Sequence, residues 1–479
     1  MSVEQEVMEG APAGVEEARR SPRAAPHRPR HWQKQRVFAK FALVLLVPLV
    51  GSVASPQVGA AAHLGIYLFL IPWAMGGPRR CVEALSLTWL ITFLNPGIFA
   101  QASGDEVLRW VILAAALAGV AAHVVLKQTT LPRAWFWVLG FILATAGMSV
   151  HTSYALDVSL FKLTSFFMGA TAVLVGYHLT RHDAGYWRLW FSTMFAVVVV
   201  AGFPLIVHSL GYFRNGRSFQ GITGQPQTYS LFLGPLLAWL VARLITRQER
   251  GVAKWALAGV AFISLIATQG RTGLVAGISG LVLAGVWWVA SGRVRFAIPR
   301  VWIVVALLAV GGATFWVATH TQTASQVVLN FMMKGRADKG LDVAFHASRG
   351  FLIEASMENF RRNPVMGIGF GVGSDPSSFV VRRDPVLGLP VGASTEKGFT
   401  AVAILEEIGL VGMACFLVMV AALLRPVFSR RAAFPTTVLA LSALMVNFGE
   451  SVFFALGGSG MFVWLLIGAA RVMAAHDDV

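Results

Sequence analysis

Charge is what this 479-residue sequence has least of. Only 13% of its residues are Asp, Glu, Lys or Arg, about half the share of an ordinary soluble protein. Hydrophobic residues make up 56% of the chain, its mean hydropathy is +0.66, and the uncharged stretches come in blocks of bilayer-spanning length. This excludes a cytosolic enzyme and a disordered tail protein. Cysteine is almost missing too: Cys81 flanks an apolar block and Cys415 lies inside one, so neither a secreted disulfide scaffold nor a thiolate metal site has a basis. Acids are outnumbered, 23 against 39 Lys and Arg, for a net charge of +16. Such a balance normally raises nucleic-acid binding. Here the bases are dispersed between apolar blocks instead of lying along one face, so the expected partner is the lipid bilayer and not nucleic acid.

Apolar segments lie at about 37–55, 57–76, 82–100, 107–126, 134–150, 160–179, 188–209, 226–246, 254–268, 273–291, 301–319, 399–424, 434–449 and 452–474. They predict an all-α polytopic membrane protein with about 14 transmembrane helices, within a range of 12–14, and one large, partly helical periplasmic loop. The domain organisation follows: a disordered basic cytoplasmic tail at 1–36, a membrane bundle of about 11 helices at 37–319, the loop at 320–398, membrane helices again at 399–474, and a short cytoplasmic tail at 475–479. Arg19-Arg20-Ser21-Pro22 resembles a twin-arginine signal only faintly, because the first apolar block starts too far downstream. With the N-terminus cytoplasmic, 25 of the 39 Lys and Arg fall inside and 14 outside, as the positive-inside rule asks. Both termini are then cytoplasmic.

Two external connections are long. One covers about 210–225; the other, about 320–398, holds roughly 79 residues, and long loops in compact proteins are usually functional or disordered. Within the second, Phe351, Leu352, Ala355 and Phe360 recur at helical spacing between His346 and Asn363, predicting an amphipathic helix across the external mouth, ended by Asn363-Pro364.

Arginines on the external side run against the positive-inside rule. Arg214 and Arg217 share the first loop, Arg271 lies between apolar runs in Gly270-Arg271-Thr272, and Arg349 opens the loop helix. Membrane-edge arginine is costly and usually partnered, and a forked guanidinium matches phosphate oxygens. Any one of them could pair with a carboxylate or a lipid headgroup; several on one face suggest an anionic ligand approached from outside. The run Gly367-Ile-Gly369-Phe-Gly371-Val-Gly373 lacks the strand-turn-helix context of a nucleotide loop; a backbone turn needing small residues is preferred to an anion nest. Histidines form no metal motif, and His151, His208, His320 and His346 fit polar helix caps; His346, three residues before Arg349, is the candidate acid or base. Glu354 and Glu358 share a helix face and fit solvated surface carboxylates. Glu396 and Lys397, just before a membrane helix, form a candidate acid–base pair at the membrane surface. Intramembrane ionisable residues are few, Lys162, Glu406, Glu407 and Glu450 among them, fewer than a transport path would want.

Four stretches together resemble the O-antigen ligase and polymerase superfamily, the WaaL and Wzy group of polytopic bacterial inner-membrane proteins. Arg217-Ser-Phe-Gln-Gly-Ile-Thr-Gly-Gln-Pro-Gln227 is similar to its external arginine loop, and Thr268-Gln-Gly-Arg-Thr-Gly-Leu274 to its second arginine motif. Arg349 through Gly371 resembles the large periplasmic loop, and Ala403 through Gly412 the segment ending in Glu-x-Gly-x-x-Gly. The likeness spans roughly 210–424. The sequence departs from the family where its His-Asn pair would fall, at Gly398: the stretch reads Ser394-Thr-Glu-Lys-Gly398, with Glu396 or Lys397 as stand-ins.

The resemblance implies a metal-independent, cofactor-free glycosyltransferase of the inner membrane, using an undecaprenyl-diphosphate-linked glycan as donor and acceptor. The polysaccharide polymerase branch is favoured over the ligases because of the missing histidine. Arg217 and Arg271 are then expected on the diphosphate, with Arg349 assisting, Glu396 as base, Lys397 orienting it or joining the clamp, and Arg214, His346 and Glu354 as secondary candidates. A flippase and a chain-length regulator are candidate partner proteins. Two rivals remain: a lipid-linked oligosaccharide flippase, which needs no such external loop, and a polyprenyl-phosphate-dependent transferase, whose acidic pair is missing from the first external loop, Ser55-Pro-Gln57.

Overall fold

The computed structural model describes residues 31–102, 104–293, 350–384, 388–393 and 397–476. The helices, in chain order, are α1 His31–Ala54, α2 Pro56–Met75, α3 Pro78–Thr92, α4 Asp105–Lys127, α5 Arg133–Thr152, α6 Leu156–Leu179, α7 Ala184–Gly202, α8 Pro226–Ile245, α9 Val252–Ala267, α10 Arg271–Ala290, α11 Phe351–Arg362, α12 Thr400–Leu424, α13 Phe434–Met445 and α14 Gly460–Ala474. Among the described residues, nine helices are long and apolar enough to cross a membrane: α1, α2, α4, α5, α6, α7 with its 3-10 extension, α8, α10 and α12. Helices α9, α13 and α14 are apolar but shorter. The segment expected at 301–319 lies outside the described residues.

Local chemistry sets the boundaries. Ser55 caps α2 through its hydroxyl, which accepts the Val58 N–H at 3.2 Å, and Pro56 supplies the preset first turn. Asp105 and Glu106 open α4 and Lys127 closes it, each with the sign the helix dipole favours. Three expected boundaries move. Helix α1 starts at His31, inside the expected disordered tail, where Arg36 stacks over Trp32 one turn earlier at 4.8 Å. The 82–100 segment does not stay helical: α3 stops at Thr92, and the Asn95 carboxamide closes a turn by accepting the Gly97 N–H at 2.9 Å. The 452–474 segment is helical only from Gly460, after a run of turns.

Helices α8 and α10 touch through glycine. A Cβ on Gly234 would lie 2.0 Å from the Gly273 carbonyl oxygen, and one on Gly273 would lie 2.0 Å from that of Ser230. Small residues of this kind let membrane helices approach backbone to backbone. Helix α13 packs on the same two helices, so α10 is wedged with its N-terminus held in place.

The connections gather at two ends. One end, the basic end, holds the Lys40–Glu83 pair at 2.6 Å with Tyr186 and Trp73 on the same carboxylate, Arg79 on Asp183, and Arg243 on Glu249 at 2.7 Å. At the other, the loop end, 203–225 meets the α3–α4 turn through Asn95 N–H to Ile222 C=O at 2.8 Å. The described part of 350–398 packs there too, with Arg382 on Glu106 and Arg383 on Asp157. It contains one short antiparallel pair, Val381–Arg383 with Pro390–Ala393, which the all-helical expectation did not include.

The described part of the helix expected from His346 is α11, and its docked face carries polar residues beside the expected apolar ones. Phe351 is exposed, whereas Ser356 is buried and Asn359 donates to Glu406 Oε1 and to the Ser374 carbonyl, both at 2.7 Å. Leu352, Ala355 and Phe360 of the expected apolar stripe are half-buried, and polar contacts to α12 and the following loop are added beside them.

Candidate functional site

The 211–225 loop is built around Asn215. Its carboxamide oxygen accepts the Arg217 and Ser218 N–H groups at 3.0 and 3.1 Å, and Gly216 provides a left-handed residue (φ 65°). Buried Phe219 then donates its N–H to Ala267 C=O at 3.0 Å, and the Ser218 hydroxyl donates to Gln269 Oε1 at 3.3 Å. The loop is thereby stapled to the α9–α10 turn. That turn is itself tight: the Thr268 hydroxyl accepts the Gly270 N–H at 2.9 Å, and Gln269 sits at φ 54°, a conformation L side chains adopt at a cost. Arg271 is the next residue and the first of α10.

The two stretches enclose a cleft of about 600 Å³. Asn215, Ser218, Gln225, Gln227, Gln269 and Arg271 supply its polar wall; Phe213, Val275, Met445 and Phe448 supply the apolar one. Arg214 and Arg217 alternate with lining residues at its rim. Both side chains are exposed, and neither has an ion-pair partner among the described residues. Glu450, treated in the sequence only as a charge between two apolar segments, belongs here: its carboxylate accepts from the Gln227 amide and lies 3.4 Å from the Thr272 hydroxyl, beside the lining residue Gly449. No sequence pattern connects Glu450 to Arg271; only the packing of α13 on α10 does.

A second set of charges lies apart from this cleft, under α11. Helix α12 is broken at Gly409 (φ 61°, ψ −162°), and the freed backbone groups pair with 364–369. Ile368 and Gly369 donate to the Glu406 and Glu407 carbonyls, each at 2.9 Å; Leu410 and Val411 donate to the Pro364 and Val365 carbonyls at 2.9 and 3.3 Å. The side chains follow. Glu407 Oε2 accepts the Gly371 N–H at 2.7 Å, and Lys397 Nζ lies 2.5 Å from Glu406 Oε2 and 3.9 Å from Glu407 Oε1. Lys162 completes the cluster over the Phe370 ring at 5.0 Å. Tyr154, just before α6, ties the loop down by donating to the Gly373 carbonyl at 2.9 Å, and desolvation pushes its phenol up to about 12.

The sequence candidates therefore part company. The Arg217 loop and Arg271 share one cleft. Lys397, expected to orient Glu396 or to join a diphosphate clamp at the membrane surface, is buried with its ammonium on Glu406, which draws it inward. Glu354 is exposed on α11. Glu396, Arg349, His346 and His320 lie outside the described residues. His208 acts as a polar cap, accepting the Leu210 N–H at 3.2 Å. The glycine run is a backbone turn: the N–H groups of 367–371 go to Asn363, Glu406, Glu407, Ser149 and the Glu407 carboxylate, so none of these five is left for an anion nest. Among the described residues, no three His, Cys, Asp or Glu side chains are grouped as a metal ion would require.

No protein-family model matches the chain, and no curated protein matches it.

Proposed function

We propose that the chain polymerises undecaprenyl-diphosphate-linked oligosaccharide repeats into a surface polysaccharide, in the bacterial inner membrane and at its periplasmic face, which is the loop end of the bundle. The observation that carries this reading is the convergence of the Arg217 loop and the Arg271 turn on one cleft facing away from the basic end. Transfer makes a bond from an acceptor sugar oxygen to the donor's anomeric carbon. The bond to the diphosphate breaks with its electron pair going to the diphosphate. Arg271 at the α10 N-terminus, with Arg217 from the rim, is suited to that growing charge. The acceptor proton needs a carboxylate within reach. Glu450 is the one the described cleft supplies, with Glu396 as the sequence's candidate. Of the wall carboxamides, Gln225 offers both a donor and an acceptor, Gln227 keeps its oxygen while its amide is held by Glu450, and Gln269 keeps its amide while its oxygen accepts from Ser218, a mixture that neutral sugar hydroxyls require.

A ligase would use the same donor chemistry with another acceptor. A flippase is less well supported: transporters leave the backbone of a broken helix free to coordinate substrate or ions, whereas the break in α12 is filled by 364–369. Gel analysis of lipid-linked glycans in a deletion strain carrying Arg217→Ala or Arg271→Ala separates these readings. Accumulation of single lipid-linked repeats is expected. Intact but unattached polymer would indicate a ligase, and repeats held on the inner leaflet a flippase. Full-length polymer from both variants at normal protein levels would overturn the site.

A further inference from the structure

An apolar groove of about 1150 Å³ lies remote from the arginine cleft. It runs between α1 and α7. Phe38, Ala42, Leu45 and Leu49 line it from α1, spaced three or four residues apart on one helix face. Ser192 and Ala196 on α7 are small enough to leave the hollow between the helices. From Lys34 to Leu49 the groove follows α1 for about 22 Å, longer than one leaflet's share of the hydrocarbon, ~15 Å. Phe38, Leu46 and Val200 on its edges are exposed, so it opens sideways, where a bilayer would be.

Its mouth at the basic end has a different character. Among the described residues, Lys34, Arg188, Arg243 and Lys254 line it with one carboxylate, Glu249. Glu249 is engaged by Arg243 at 2.7 Å. Lys34 comes from α1, Arg188 from α7, Arg243 from α8 and Lys254 from α9, so four helices converge their cations on one opening. An apolar chain gains nothing by leaving the bilayer for such a groove, because lipid tails are equally apolar. Any selectivity must come from the headgroup.

We infer that this groove is a binding site for one anionic phospholipid of the leaflet at the basic end, its phosphate among Lys34, Arg188 and Lys254 and an acyl chain along α1 and α7. Each cation near the surface favours an anionic over a zwitterionic headgroup by about fivefold. The site is independent of the proposed glycan chemistry.

The test uses full-length protein in detergent, stripped of lipid and offered phosphatidylglycerol or phosphatidylcholine with the same acyl chains. Bound lipid is counted by native mass spectrometry. Wild type is expected to retain one phosphatidylglycerol in preference to phosphatidylcholine. Lys34→Ala with Lys254→Ala is expected to reduce that preference by roughly 25-fold. Lys127→Ala, at the same end on α4 and outside the groove, is expected to leave it unchanged. Ala196→Trp, which fills the hollow without touching the charges, is expected to abolish the retained lipid. Equal retention of both lipids by wild type, an equal loss in Lys127→Ala, or full retention in Ala196→Trp would each overturn the inference.

Discussion

Replacing Lys397 by Met keeps the length of the side chain and removes its charge. Glu406 is fully buried, and Lys397 is its cationic partner at 2.5 Å; the Asn359 amide on its other oxygen does not neutralise it. Removing one member of a buried pair typically costs about 3–5 kcal/mol, because the other charge is left uncompensated. The loss falls on the contact between α12 and 364–371, the only element that Glu406, Glu407 and the helix break jointly hold among the described residues. At 1.4 kcal/mol per decade, opening of that contact should become about 100- to 4000-fold more frequent. Hydrogen–deuterium exchange of peptides covering 366–372 reads this opening, since the amides of Ile368, Gly369 and Gly371 are protected by α12. Lys397→Met should exchange faster by that factor, and adding Glu406→Gln should restore most of the protection, because the stranded charge is gone. If Lys397→Met exchanges at the wild-type rate, or if the double variant is no better than the single, the buried pair does not hold the loop.

Three further outcomes follow from the geometry. Gly409→Ala forces a side chain into a conformation that costs about 1–3 kcal/mol and brings Cβ 2.3 Å from the Val365 carbonyl oxygen. It should lose the monodisperse gel-filtration peak, while Gly285→Ala, with open space around its Cβ, should keep it. Glu450→Gln should lower polymer formation by about 100-fold or more if its carboxylate takes the acceptor proton, and a normal rate at normal protein level would remove it from that role. Gly273→Val, whose Cβ would lie 2.0 Å from the Ser230 carbonyl oxygen, should pry α10 from α8 and reproduce the Arg271→Ala glycan pattern; unchanged polymer would mean the α8–α10 contact does not position Arg271.

Much of the helical framework was legible because a hydrocarbon-length apolar run leaves a chain few alternatives to a helix. Helices α5, α6, α8 and α10 fall within a few residues of the expected segments. The sequence failed where structure depends on a distant partner. Nothing near Gly409 says that α12 is broken there, because the groups satisfying the break come from 364–369. Lys397 looked like a surface charge since its partner lies nine residues on, across a turn into the helix. The Asn95 turn, by contrast, was spelled out locally in Asn-Pro-Gly and was missed by following hydrophobicity alone. That the Arg217 loop meets the Arg271 turn depends on two hydrogen bonds, from Phe219 and Ser218. The sequence could place both arginines on one side but could not bring them to one cleft.

The way 364–369 completes α12 makes the large connection inseparable from the bundle. Four main-chain hydrogen bonds run between a segment that precedes the helix by about 35 residues and the interior of the helix itself. Excised, the connection would leave those partners behind, and transplanted between two foreign helices it would find no break to fill. Homologous loop exchange should therefore succeed only when the helix carrying Gly409 travels with it.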